Sequence, residues 1–334
     1  MISIAFFNNK GGVGKTTLLC NFAAFLAKFL QKKVLVIDAD PQCNSTTYIL
    51  NDEQFYHVYF HPTCFTIADI IPPLENGEGY IKQFDTIHSV NFGVDLIPGS
   101  PRFATSEDFL ANEWRDVKSS DLRGIRSSLV FSHLLSLSTE YDFVLFDMGP
   151  SLGAINRAVL LSCDYFLTPM SSDVFSLLAL GNIGQSLTNW IEKFNNSFSN
   201  LEESKQKSIS HLRRSCVIKF LGYVEQQYIT KTVDGSARAV RAYDEILSKI
   251  PKEIQDKIII PINKAVIPSL DYKIGSIPNY YSLVPMSQTA HQPIFSLTNA
   301  DGVVGAHYQK VKEFKELMSS VVNHALQNLE AIHD

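Results

Sequence analysis

Three short stretches carry most of the residues that could do chemistry. The first is Asn9-Lys10-Gly11-Gly12-Val13-Gly14-Lys15-Thr16-Thr17. Its glycines let backbone N–H groups converge on an anion, and a helix starting just after them would aim its positive dipole end at the same point. In such a loop Gly11, Gly12, Val13, Gly14 and Thr17 wrap the phosphates, Lys15 reaches the β- and γ-phosphates, and the Thr16 hydroxyl ligates Mg²⁺. The usual pattern, G-x-x-x-x-G-K-[ST], wants glycine where Asn9 stands, and a second lysine, Lys10, lies inside the loop. The second stretch is Asp38-Ala39-Asp40-Pro41-Gln42. Alone, its two carboxylates read more readily as a cap for a helix over Asn44–Leu50. The third is Asp147-Met148-Gly149-Pro150-Ser151-Leu152-Gly153. It ends an apolar run in one aspartate, which would hold Mg²⁺ through a water because that ion dehydrates reluctantly.

The surrounding chain supplies elements suited to positioning them. Ile2, Ile4, Phe6 and Phe7 precede the first stretch as a buried strand, and Leu18–Leu30 follows as a helix. Val34–Ile37 is a continuous apolar strand of the parallel-sheet type, leaving Asp38 and Asp40 at the carboxyl edge where open α/β sheets bind ligands. Tyr141–Phe146 does the same for Asp147. Further strands are expected at Val94–Ile97, Asp164–Met170, Ser215–Val224 and Ile258–Ile262. Helices are expected at Phe175–Phe194, Ala237–Ile250 and Tyr308–Ala331, and the polar run Asn195–Ser210 reads as an exposed loop or frayed helix end.

Composition sets outer bounds. The chain has 334 residues, 45% hydrophobic and 19% charged, with net charge −5. That is a globular composition with no global bias toward nucleic acid, so any such binding must come from a local patch. Five scattered cysteines (Cys20, Cys43, Cys64, Cys163, Cys216) include no C-x-x-C pair, so neither a zinc site nor a disulfide framework is suggested. Reduced thiols and a start that runs directly into a strand lead to the expectation of a cytoplasmic protein. No linker or second composition regime interrupts residues 1–334, which read as one domain with an atypical insertion around 251–283.

Lys10–Thr17 resembles the deviant Walker A loop of the ParA/MinD family of dimerising ATPases. Asp38–Gln42 resembles that family's switch I, and Asp147–Gly153 its switch II, with Gly149 where the family more often has proline. Val94–Ser100 and Gly305-Ala306-His307-Tyr308 extend the likeness. The resemblance implies an α/β, three-layer P-loop NTPase fold with a mostly parallel central sheet flanked by helices. It implies ATP and Mg²⁺ as cofactors and a nucleotide-dependent homodimer in which Lys10 touches the partner's nucleotide. Asp40 would orient the attacking water, Asp38 would help Thr16 and Asp147 with the metal, and Asn156 would support switch II or the dimer face. The family's base-contacting positions fall on Gln226 or Gln227 and on Pro285, with Pro261 competing for the last.

Three roles are compatible with such an ATPase. A ParA-like partition or positioning protein would work with a ParB-like adaptor and bind DNA without sequence preference, becoming nucleoid-associated. The basic residues available are Lys205, Lys207, Arg213, Arg214 and Lys219, with Lys231, Arg238 and Arg241. An ATP-gated accessory of a multiprotein system would use 251–283 as a partner surface. A MinD-like membrane cycle needs a basic amphipathic tail, and no lysine or arginine follows Lys315.

Overall fold

A computed structural model describes the chain except residues 62, 118, 172, 210, 211, 213–215, 229–247, 265, 268, 269 and 334. Eight strands form one sheet: β1 (Ile2–Phe6), β2 (Val34–Asp38), β3 (Ile87–Ser89), β4 (Val94–Ile97), β5 (Phe143–Asp147), β6 (Tyr165–Ser171), β7 (Lys219–Tyr228) and β8 (Lys273–Pro278). Their order is β3-β4-β2-β5-β1-β6-β7-β8, parallel throughout except for the antiparallel β3–β4 pair.

Alternation along each strand creates two cores. Ala5, Leu35, Ile37, Val144 and Phe146 face one side, where Leu110, Phe131, Leu134, Val159, Ile183 and Leu187 cover them. Ile4, Phe6, Val34, Val36, Phe143 and Leu145 face the other, under Leu18, Phe22, Leu26, Met318 and Val322. The covering helices are Ser106–Val117, Val130–Leu137, Ala154–Ser162 and Val174–Ser199 on the first face, and Lys15–Leu30 and His307–His333 on the second. Strands buried on both faces explain the apolar runs read from the sequence. The result is the three-layer P-loop architecture expected.

Two expected elements differ. Ile258–Ile262 is not a strand: Gln255–Asn263 is a π-helical stretch with Pro261 inside it, packed on the long Val174–Ser199 helix. A run of isoleucines fits a buried helical face as well as a strand. The last strand is instead β8, so the 251–283 region contributes to the central sheet. Pro285, expected at a base-contacting position, belongs to the short helix Leu283–Thr289. Most of the expected Ala237–Ile250 helix lies outside the described residues. No helix among the described residues is long and apolar enough to cross a membrane.

Candidate functional site

Because β2, β5 and β1 are sheet neighbours, the three chemical stretches leave the same edge side by side. Asp147 is in register with Asp38 on one side and Phe6 on the other. Above this edge lies a cavity of about 490 Å³, lined by Gly11, Gly12, Val13, Gly14, Lys15, Thr16, Thr17 and Asp40, with Gln42, Asn44, Thr47, Tyr48, Pro150 and Gln288. Gly12 and Gly14 have φ of 73° and 75°, a left-handed backbone that favours glycine. A Cβ at Gly14 would also sit 2.8 Å from Gln226 Oε1, so the Gln226 amide would have to move.

The charges are arranged around this cradle. Lys15 is 8% exposed, and its Nζ lies 3.4 Å from the Lys10 carbonyl oxygen. Burial lowers its pKa, while Asp147 and Asp40 oppose that shift. Thr16 Oγ1 donates to Asp147 Oδ2 at 2.8 Å, whereas Asp147 Oδ1 is buried with no partner among the described residues. Desolvation raises the pKa of Asp147, and the Asp38 charge adds to it. Asp38 is likewise pushed up by complete burial, against the hydrogen bonds it accepts from Thr46. Those bonds, from Thr46 N at 2.8 Å and Thr46 Oγ1 at 2.6 Å, tie Asp38 to the helix after switch I. Its other oxygen accepts from Asp40 N at 3.3 Å.

A magnesium–nucleotide complex fits these residues. Mg²⁺ usually binds through one or two carboxylates together with substrate phosphates and waters. An orphaned, desolvated carboxylate oxygen beside a threonine hydroxyl is a fitting place for a hydrated cation. Among the described residues no group of three or more histidine, cysteine or acidic side chains forms a self-sufficient metal site. Asp38 has both oxygens engaged by protein donors, so Asp147 and Thr16 are the better-placed pair for the ion.

Other expected residues stand apart. Lys10 is not in the cavity lining; its ammonium pairs with Asp173 of the same chain. Asp173 also caps the Val174–Ser199 helix by accepting from Ser176 N at 3.0 Å. Gln226 lies against Gly14, with its Nε2 buried and without a partner among the described residues. Pro285 is exposed and outside the lining, one turn before Gln288, which is in it. Asn156 donates through Nδ2 to the Gly149 carbonyl at 2.8 Å and the Ser151 carbonyl at 2.7 Å, holding switch II. Asn44, Thr47 and Tyr48 were missed although they directly follow switch I in sequence, whereas Gln288 carried no local signal.

Those basic residues that lie among the described residues are engaged. Lys205 and Lys207 pair with Glu202 and Glu203 at 3.3 and 2.9 Å. Lys219 donates to the Asn263 carbonyl at 3.1 Å. Arg213, Arg214, Lys231, Arg238 and Arg241 lie outside the described residues.

A nucleotide-type loop, two switches and an aspartate-ended strand on one parallel edge define a P-loop NTPase. A family model described as an AAA domain matches residues 1–200. The Chlamydia psittaci virulence plasmid ParA family protein pGP5-D is 30% identical over 189 residues, covering 55% of this chain and 62% of that relative. Among solved structures, protein DIP2308 from Corynebacterium diphtheriae superposes with a TM-score of 0.70 at 30% identity, covering 87% of this chain and 97% of that one. A putative plasmid partition protein from Borrelia burgdorferi, bound to AMPPNP, shares the fold at a TM-score of 0.57 and 20% identity, covering 98% of each chain. The chain belongs to the ParA-like P-loop ATPases.

Proposed function

We propose that this protein binds and hydrolyses ATP with Mg²⁺, dimerises when ATP is bound, and acts in partitioning or positioning DNA together with an adaptor protein. The observation that carries the reading is the convergence of Lys15, Thr16, Asp40 and Asp147 at one sheet edge, with Lys10 held just outside. Phosphoryl transfer asks a protein mainly for positioning and charge stabilisation. The backbone N–H groups of Gly11–Thr17 and the Lys15 ammonium hold the triphosphate. Thr16 and Asp147 would hold Mg²⁺, which when bound neutralises charge on the phosphate oxygens. Asp40 lies at the cavity wall, its Oδ1 accepting from Gln42 N at 3.0 Å, and orients the attacking water. Lys10 leaves Asp173 to meet the partner subunit's phosphates, so hydrolysis removes the charge that joins the subunits. Among the cavity residues, Gln288, Tyr48 and Thr47 are better placed than Pro285 to face the base.

The role in DNA partition rests on the ParA resemblance and on the matched relatives rather than on a basic patch. Three measurements test the reading. Wild type should hydrolyse MgATP, Lys15→Ala should weaken nucleotide binding, and Lys10→Ala should keep binding but lose ATP-dependent dimers. Nonspecific duplex should be bound only with ATP, and binding should fall steeply as salt rises. ATP-dependent dimers that ignore DNA even at low salt would move the protein to an ATP-gated accessory role.

A further inference from the structure

The helix that closes switch II, Ala154–Ser162, begins at Gly153, which has no side chain to cap it. The cap comes from far away in sequence. Glu107, in the Ser106–Val117 helix, accepts through Oε1 from Ala154 N and through Oε2 from Ile155 N at 3.0 Å. One carboxylate thus satisfies two of the helix's unpaired N–H groups and places negative charge at its positive end. Gly153 leaves the necessary space, since a Cβ there would fall within the Glu107 carboxylate.

The same two helices meet again one turn further on. Arg157 donates through Nη2 to the Leu110 carbonyl at 3.2 Å, and its guanidinium lies 4.4 Å from the Trp114 ring centre. The Trp190 ring centre lies 5.9 Å from the same guanidinium. Glu107, Leu110 and Trp114 are spaced i, i+3 and i+7, so they occupy one face of their helix. Burial pulls the Arg157 pKa down to about 10, with Glu107 opposing that shift.

The clamped turn carries the loop beside the cavity. Asn156 holds the Gly149 and Ser151 carbonyls, and Pro150 lines the cavity. Gly149 adjoins the Asp40 carboxylate, which a Cβ at that position would approach to 3.3 Å. A path of direct contacts therefore runs from Glu107, through the first turn after switch II, to Asp40.

We infer that Glu107 is a positioning residue for hydrolysis, fixing switch II against Asp40 by capping the Ala154–Ser162 helix from outside the cavity. This rests on the ATPase reading. It adds that the Ser106–Val117 helix is the support against which switch II is set, and a handle through which that setting can be changed.

The chain has two tryptophans, and both flank Arg157, so intrinsic fluorescence reports on this clamp independently of hydrolysis. In wild type, fluorescence should differ between MgADP and a magnesium complex of a slowly hydrolysed ATP analogue. Glu107→Ala should remove most of that difference. It should also lower kcat about tenfold, the factor matching one lost charge-assisted cap, with KM for ATP within about twofold. The decisive variant is Glu107→Ala with Gly153→Asp. The space left by Glu107 admits the new side chain, which restores a local cap, so kcat and the fluorescence response should both recover. Glu107→Gln, keeping one accepting oxygen, should fall between and serves if the alanine variant does not fold. A Glu107→Ala enzyme with wild-type kcat, or a double variant that regains thermal stability without regaining kcat, overturns the inference. If wild type binds nucleotide without hydrolysing it, the ATPase reading fails. The fluorescence comparison then decides the clamp alone, an unchanged response in Glu107→Ala refuting it.

Discussion

Asp173→Asn should tighten the ATP-dependent dimer. In the structure Lys10 is paired within its own chain, and the proposed mechanism needs it to reach the partner. The pair is about one-third exposed on both sides, 30% and 35%, so its strength belongs with solvent-screened ion pairs. Burial pushes the Asp173 pKa up, but the Lys10 contact and the Ser176 N–H outweigh it, leaving the carboxyl below its usual range. Asparagine caps a helix as well as aspartate does, so the substitution removes the pair while sparing the start of the Val174–Ser199 helix. Releasing one such pair is worth about 0.5–1 kcal/mol. A symmetric dimer releases two, about 1–2 kcal/mol, which tightens the dimer about 5- to 30-fold. Sedimentation velocity with a slowly hydrolysed ATP analogue measures this, with ADP and Lys10→Ala as controls. A variant dimer no tighter than wild type would refute the idea that the internal pair competes with assembly. A Lys10→Ala protein that dimerises normally would refute the bridging role itself.

Other outcomes follow from the same geometry. Lys15→Ala removes a nearly buried cation from the phosphate cradle and should weaken ATP binding roughly 10- to 150-fold, the worth of one charged hydrogen bond, as calorimetry would show. Asp38 and Asp147 keep protons to higher pH in the folded, metal-free protein than in the unfolded chain. The folded state therefore binds more protons from the ordinary carboxylate range up to about 7, and stability should fall as pH rises through that window. Thermal melts without metal should show this slope, and MgATP should flatten it; a rising slope would refute the burial argument. Gly184→Ala should destabilise the fold by about 1–3 kcal/mol in chemical denaturation, because its Cβ would run into the Lys257 backbone carbonyl where the π-helical stretch meets the long helix. Gly14→Ala should abolish nucleotide binding, since it meets both a φ of 75° and the Gln226 amide.

The parts legible in the sequence were those set by local pattern. Strands buried on both faces read as apolar runs, and the phosphate loop, Asp40 and Asp147 sit where strand ends put them. Less legible was whatever depends on which distant segments meet. Ile258–Ile262 has the composition of a strand, but Gly184 allows the long helix so close that the run packs as a helical face instead. Tyr48 and Gln288, 240 positions apart, both line the cavity, and no spacing rule joins them. Lys10 was legible as unusual, but its pairing with Asp173 depends on β6 lying beside β1. Glu107 is one of several charged residues in the Ser106–Val117 helix, and nothing local in the sequence shows that it meets the uncapped start of the helix after Gly153.

The two ends of the sheet limit how copies of this chain can associate. Exposed strand edges invite another chain to continue the hydrogen-bond ladder. Here the β3 edge is only three residues long. At the other end β8 begins with Lys273, whose ammonium is 2.8 Å from Glu225, and finishes in Pro278, which has no N–H to donate. Neither border offers much backbone for open-ended stacking. In the proposed dimer, contact between copies therefore falls to side-chain surfaces such as the rim around Lys10, where a ligand would make it and unmake it.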